Sequence, residues 1–275
     1  MQVIEWPQFL EDTSPLKGNP FAVTVGIFDG VHRGHKALIE AVVSQKERAI
    51  PVVITFRQGR HKKAINGGKD YHGDILSFRQ KMAIFESLGV ALTIVVEFSE
   101  SFRRMSGTEF LRILSEHGSM VFMAVGSNFR CGYRLDTDAF TIRKFNGQRD
   151  IQTHIVQPLT EDGKPISSSQ IRSAITLGKL REATTMLGHS FIIDLFNADL
   201  LANDDLSNAG YVAYDVAGQG RILPPPGRYR VLLLNEDHDR SAGIPAEIIV
   251  KKGSILISAD VEDAGIFHGY VEFLC

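Results

Sequence analysis

Two histidines three residues apart, His32 and His35, close the stretch Phe21-Ala-Val-Thr-Val-Gly-Ile-Phe-Asp-Gly-Val-His-Arg-Gly-His35. Its β-branched start reads as a buried strand and Gly26 and Gly30 as a turn. Leu38, Ile39, Val42 and Val43 mark the apolar side of a helix opening near Gly34. Strand, glycine turn and helix N-terminus together aim free backbone N–H groups and a positive dipole end at one spot, which suits phosphate. On a first helical turn the two imidazoles would share a face and could donate to phosphoryl oxygens. The pattern is neither G-x-x-x-x-G-K-[ST] nor G-x-G-x-x-G, so it is not a P-loop or a dinucleotide fingerprint. Spacing alone leaves two other readings open, ordinary turn residues and a zinc-binding pair.

A second constellation lies at Pro165-Ile-Ser-Ser-Ser-Gln-Ile-Arg172. Serines before an apolar helical pattern are good caps. Three hydroxyls and an arginine at a helix start also suit a polyphosphate, because a guanidinium binds two oxygens at once and stays charged. A third constellation is Val125-Gly-Ser-Asn-Phe-Arg-Cys-Gly132. There Asn128 offers an amide to a heterocycle or ribose, while Phe129 could stack on a ligand or fill the core.

Taken together, these segments resemble the FAD synthetase branch of the H-x-G-H nucleotidyltransferase superfamily. The first matches G-x-F-D-G-V-H-x-G-H over ten positions, the loop after Val125 matches V-G-x-[DN]-F-R-F-G, and the serine run matches I-S-S-T-x-I-R with Ser169 for threonine. The resemblance implies AMP transfer from ATP to FMN, giving FAD and pyrophosphate. It implies catalytic roles for His32, His35, Arg172, Ser168 and Ser169, and ATP contacts at Gly26, Ile27, Phe28, Asp29, Gly30, His32, His35, Ser168 and Arg172. It implies flavin contacts at Phe56, Asn128, Phe129 and Arg130. Mg²⁺ is expected with ATP and no metal site in the protein itself, Asp29 being read mainly as a structural residue of the turn. Two departures fall on the flavin side. Cys131 replaces an aromatic residue, and Thr55-Phe-Arg-Gln-Gly-Arg-His61 lacks the T-F-x-P-H-P corner.

Beyond Gly188 the sequence changes to short β-rich runs: 210–216, 229–234, 246–250, 254–258 and 270–274. Such spacing reads as a small antiparallel barrel. Ile222-Leu-Pro-Pro-Pro-Gly-Arg-Tyr229 resembles the riboflavin kinase segment L-P-P-x-G-V-Y, yet the kinase run G-x-P-T-A-N is absent from 189–221. Asp204 and Asp205 read as an exposed acidic turn, and Glu247 as the residue nearest to a kinase acid. The expected domains are 1–188, the nucleotidyltransferase, and 189–275, a kinase-like barrel without flavokinase activity. The alternatives are a bifunctional riboflavin kinase/FAD synthetase, transfer to another phosphorylated metabolite, and a non-catalytic flavin- or nucleotide-binding protein.

The elements that must position these residues alternate along the first segment. Strands are expected at 3–6, 51–56, 91–96, 120–125 and 150–156, and helices at 108–117, 167–177 and 180–187. A further helix is capped by Ser77, with Gln80 in the capping-box position, and stopped by Gly89. Residues 7–20 and 57–74 read as loops. Alternation of this kind implies an α/β fold, a Rossmann-like parallel sheet with helices on both faces and ligands beyond the carboxyl ends of the strands. The chain has 275 residues, enough for two domains, with 44% hydrophobic residues and a formal net charge of -2, which argues against a nucleic-acid partner. Cys131 and Cys275 form no disulfide framework and fit a reducing cytoplasm, and no apolar run is long enough for a membrane span or a signal peptide.

Overall fold

The apolar run ending at Val25 is the inner strand on which the first sheet is built. The computed structural model describes residues 1–11, 13–57, 73–201, 210–236, 240–258 and 267–274. His61, Asp204, Asp205, Cys275 and most of the 57–74 segment therefore lie outside the described residues. The described residues divide into two compact units, one within Met1–Phe28, Arg33–Gly59 and Met82–Pro165, the other within Asp29–His32, Arg60–Lys81 and Ile166–Cys275.

The first unit holds strands β1 (Gln2–Glu5), β2 (Pro20–Val25), β3 (Ile50–Phe56), β4 (Leu92–Val96), β5 (Ser119–Gly126) and β6 (Gln152–Val156). Their order is β1-β4-β3-β2-β5-β6, with every pairing parallel. Both faces are covered, as near-continuous apolar strands require. Ala22, Phe122 and Ala124 pack with Val42 and Leu38 of α2 (Arg33–Val43). On the other face Val23, Val25, Val52 and Ile54 share a core with Leu111 and Leu114 of α5 (Gly107–His117) and Ile142 of α6 (Ala139–Gly147). Because β3 and β5 flank β2 on opposite sides, the chain direction across the sheet reverses at β2, and the turn after β2 leaves from that switch point.

The helix α3 (Phe78–Ser87) carries the expected capping box. The Gln80 amide N–H donates to the Ser77 hydroxyl at 3.1 Å, and the Ser77 N–H donates to the Gln80 side chain at 2.9 Å. Three helices were not expected: α1 (Trp6–Leu10), α4 (Glu100–Arg104) and α6. The first corrects the reading of 7–20 as loop. Pro7 stands in the first helical turn, where it has no intrahelical donor to lose, and the Glu5 N–H is held by Gln8 at 2.8 Å. Trp6 and Phe9 are buried and anchor the helix, their rings 5.3 Å apart. A second correction concerns His32. The helix α2 starts at Arg33, so His32 stands before its first turn and not on it. Phe28, Gly30 and Val31 all have positive φ (53°, 82° and 36°), and this left-handed turn delays the helix.

The second unit holds a seven-stranded antiparallel sheet curled into a half-barrel. Its strands are β7 (Ile192–Asp194), β8 (Asp199–Leu200), β9 (Tyr211–Asp215), β10 (Gly227–Leu234), β11 (Ile244–Lys251), β12 (Ser254–Ser258) and β13 (Tyr270–Phe273). Their order is β7-β13-β10-β11-β12-β9-β8. Helices α7 (Ser168–Thr176) and α8 (Leu180–Leu187) join this unit's core: Ile171, Ile175 and Leu187 pack with Phe191, Ile222, Ile255 and Phe273. Gly188, at φ 68°, terminates α8. Among the described residues, no helix is long and apolar enough to cross a membrane.

Candidate active site

The turn after β2 is fixed residue by residue. In the first unit, Ile27 is exposed, and its carbonyl accepts from the Thr55 hydroxyl at 3.2 Å. Phe28 is enclosed and meets the His35 ring edge-on, centroids 5.2 Å apart at 76°. It also meets Phe85 edge-on, at 5.6 Å and 90°. A Cβ on Gly26 would lie 3.1 Å from the Phe28 ring, so this glycine makes room for Phe28. His35 sits in the first turn of α2, half-buried, with its imidazole plane set by Phe28. Arg33 pairs with Glu161 at 2.5 Å.

In the second unit, Asp29, Gly30 and His32 are all buried. Asp29 Oδ1 accepts from the Ile75 N–H at 3.0 Å, and Asp29 Oδ2 accepts from Arg172 Nη2. The Asp29 carbonyl accepts from the Ser168 hydroxyl at 2.8 Å. Arg172 also donates through Nε to the Gly73 carbonyl at 3.1 Å. The second motif is thus docked on the first through Ser168 and Arg172, while Ser167 caps α7 by accepting from the Gln170 N–H at 3.3 Å. Ser169 is exposed in the first turn of α7. Both carboxylate oxygens of Asp29 thus accept hydrogen bonds that hold the turn. Among the described residues no group of three or more His, Cys, Asp or Glu could hold a metal.

Burial, reinforced by the nearby His189, pushes the His32 imidazole down from its ordinary value to about 4. At neutral pH it is therefore uncharged, a single N–H donor. His189 was missed by sequence reasoning. Its ring nitrogens lie 2.9 Å from the Gly30 and Ser190 carbonyl oxygens. Only its place directly after the Gly188 helix stop could have drawn attention to it.

Of the residues expected to contact the flavin, all in the first unit, Phe56 ends β3 half-buried and stacks on Phe98, 4.4 Å away at 22°. Asn128 and Arg130 are exposed beyond the carboxyl end of β5, and Phe129 packs against the sheet's core. Arg130-Cys131 pairs with Thr137-Asp138 in a two-stranded ribbon. The Cys131 thiol is pushed up to about 12 by burial and by Asp136. In the half-barrel, Glu247 is exposed and paired with Arg228 at 2.7 Å.

Residues 15–170 match the sequence model of the FAD synthetase family. The chain belongs to the FAD synthetase family. Like other members of that family it is a nucleotidyltransferase. The bifunctional riboflavin kinase/FMN adenylyltransferase of Escherichia coli is 27% identical over 215 residues, 77% of this chain and 67% of that protein. The FAD synthetase of Listeria monocytogenes is 29% identical over 196 residues, 70% of this chain and 79% of that protein. A crystal structure titled macrolide-efflux protein, from Streptococcus pneumoniae, superposes with a TM-score of 0.77 at 21% identity, covering 100% of this chain and 90% of the other. That likeness shows a shared fold and carries nothing about transport.

Proposed function

We propose that this FAD synthetase family member is an FMN adenylyltransferase, converting ATP and FMN to FAD and pyrophosphate. Residues 1–188 form the catalytic segment, and the kinase-like segment 189–275 has no flavokinase activity. The observation that carries the reading is the docking of Ser168 and Arg172 on the backbone and carboxylate of Asp29. It ties the triphosphate motif to the glycine turn of the first motif, an arrangement that a mere fold scaffold does not need.

In the reaction an FMN phosphate oxygen attacks the α-phosphorus of ATP. One P–O bond forms to that oxygen, the bond to the bridging α–β oxygen breaks, and pyrophosphate leaves with the electron pair. The phosphate is already ionised, so no general base is required. Catalysis rests on position and charge. His35 and the neutral His32 donate to phosphate oxygens as charge shifts at the α-phosphorus. Arg172, with five N–H donors, can brace the turn and hold the departing pyrophosphate. Ser168 and Ser169 add hydroxyl donors. Phe56, Asn128, Phe129 and Arg130, at the carboxyl ends of β3 and β5, seat the flavin.

The test is a pyrophosphate-release assay with ATP and FMN, FAD formation being followed in parallel. Release dependent on FMN supports the reading, and its absence with pure protein rejects it. A second reading, a bifunctional enzyme, is favoured by the name of the Escherichia coli relative. FMN formed from riboflavin and ATP would establish it.

A further inference from the structure

In the second unit the segment from Gly73 to Gln80 stands between the half-barrel's proline-rich turn and the Asp29 turn, and it is bonded to both. On the barrel side, Asp74 bridges Arg221: the Asp74 N–H donates to the Gly220 carbonyl at 2.7 Å, and the Ile222 N–H donates to the Asp74 carbonyl at 3.1 Å. The backbones approach so closely that a Cβ on Gly73, at φ 107°, would lie 2.5 Å from the Arg221 carbonyl carbon. The Arg221 side chain, 7% exposed, donates through Nη2 to the Ile75 carbonyl at 2.8 Å and to Gln80 Oε1 at 3.0 Å. Gln80 in turn donates to the Ile192 carbonyl at 3.0 Å, and Ser77 to Asp194 at 2.6 Å. On the catalytic side, the same segment supplies the Ile75 N–H to Asp29 and the Gly73 carbonyl to Arg172.

We propose that Arg221, assisted by Gln80, is a positioning residue for the nucleotide site: it fixes segment 73–80, and through it the Asp29–Arg172 pair. A buried guanidinium is kept at a desolvation cost, and here its donors hold the peptide whose two faces serve Asp29 and the barrel. The half-barrel thereby has a task independent of any kinase chemistry, that of holding the polyphosphate arginine in register. Displacement of a substrate-holding group by even a fraction of a bond length weakens its interaction steeply. This inference rests on the adenylyltransferase reading for its kinetic arm alone.

The test uses the full-length Arg221→Met, Arg221→Lys and Gln80→Met proteins, with circular dichroism to confirm folding. In Arg221→Met, KM for ATP is expected to rise by roughly tenfold, with kcat and KM for FMN moved less than about threefold, and Arg221→Lys should recover most of the loss. Independently, amide exchange at Ile75 and Leu76 in the unliganded protein is expected to quicken by about tenfold or more, while the β10–β11 ladder amides keep their rates. Unchanged exchange at those two amides, or equal acceleration throughout the half-barrel, would overturn the proposal. So would a folded Arg221→Met protein with the ordinary KM for ATP. If Arg221→Met does not fold, Arg221→Lys and Gln80→Met carry both arms, with smaller shifts in the same direction. If the parent protein makes no FAD, the functional reading fails and the exchange arm still decides this one.

Discussion

Arg172 and Asp29, 143 residues apart in sequence, form an ion pair whose side chains are 18% and 4% exposed. One partner belongs to the serine motif and the other to the glycine turn. At this depth, loss of one member leaves the other charged in a place without water. Arg172→Ala is therefore expected to cost about 3 kcal/mol of stability as well as activity. Arg172→Lys keeps the charge but cannot span Asp29 and the Gly73 carbonyl together. Urea melts of Arg172→Ala, Asp29→Asn and the double variant check this. The double variant should lose less than the sum of the two singles.

His35 contributes little to the core, being half-buried at the start of α2. His35→Ala should lower kcat by roughly a hundredfold to a thousandfold while the far-ultraviolet dichroism is unchanged. A rate within a factor of three of the parent would remove it from the mechanism.

His32 is the pH-sensitive member. Its folded-state value of about 4 lies below the ordinary 6.5, so the unfolded chain takes up the proton first as pH falls. The stability it contributes is complete above about pH 6.5 and declines steadily to about pH 4. The loss over that window is about 3 kcal/mol. Denaturation midpoints measured across the window should show the decline, and His32→Gln should flatten it.

Gly30 has φ 82°, and a Cβ there would lie 3.1 Å from Leu187 and 3.2 Å from Ile75. Gly30→Ala meets both a disfavoured backbone region and a filled space. The expected loss is about 1–3 kcal/mol, read from the thermal midpoint.

The Cys131 thiol, raised to about 12, should be nearly inert. Alkylation at pH 8 should run on the order of a hundredfold slower than in the denatured chain, because the thiolate is the nucleophile.

The sequence made much of this arrangement legible. The β-branched run before Gly26, the Ser77–Gln80 box and the glycine stops at 89 and 188 each name a local structure with a single mechanism, and each is where it was expected. The helix at Trp6–Leu10 was hidden because Pro7 signals a break unless its place in the first turn is known. The left-handed Phe28 and Val31 were hidden for a different reason. Neither residue's own preference favours that region, and Phe28 is seen packed on His35 and Phe85 only once the chain is folded. Arg221 and His189 lie outside every motif, and only the folded chain reveals what their side chains hold.

The reversal of strand order at β2 has a practical consequence for altering the enzyme. The peptide that leaves β5 carries Asn128 and Arg130 exposed beyond the strand's carboxyl end, whereas the peptide that leaves β3 runs on to Ile75, whose N–H holds Asp29 in the glycine turn. Grafting the β5 peptide alone from a relative with a different acceptor should alter acceptor choice and leave KM for ATP as it was.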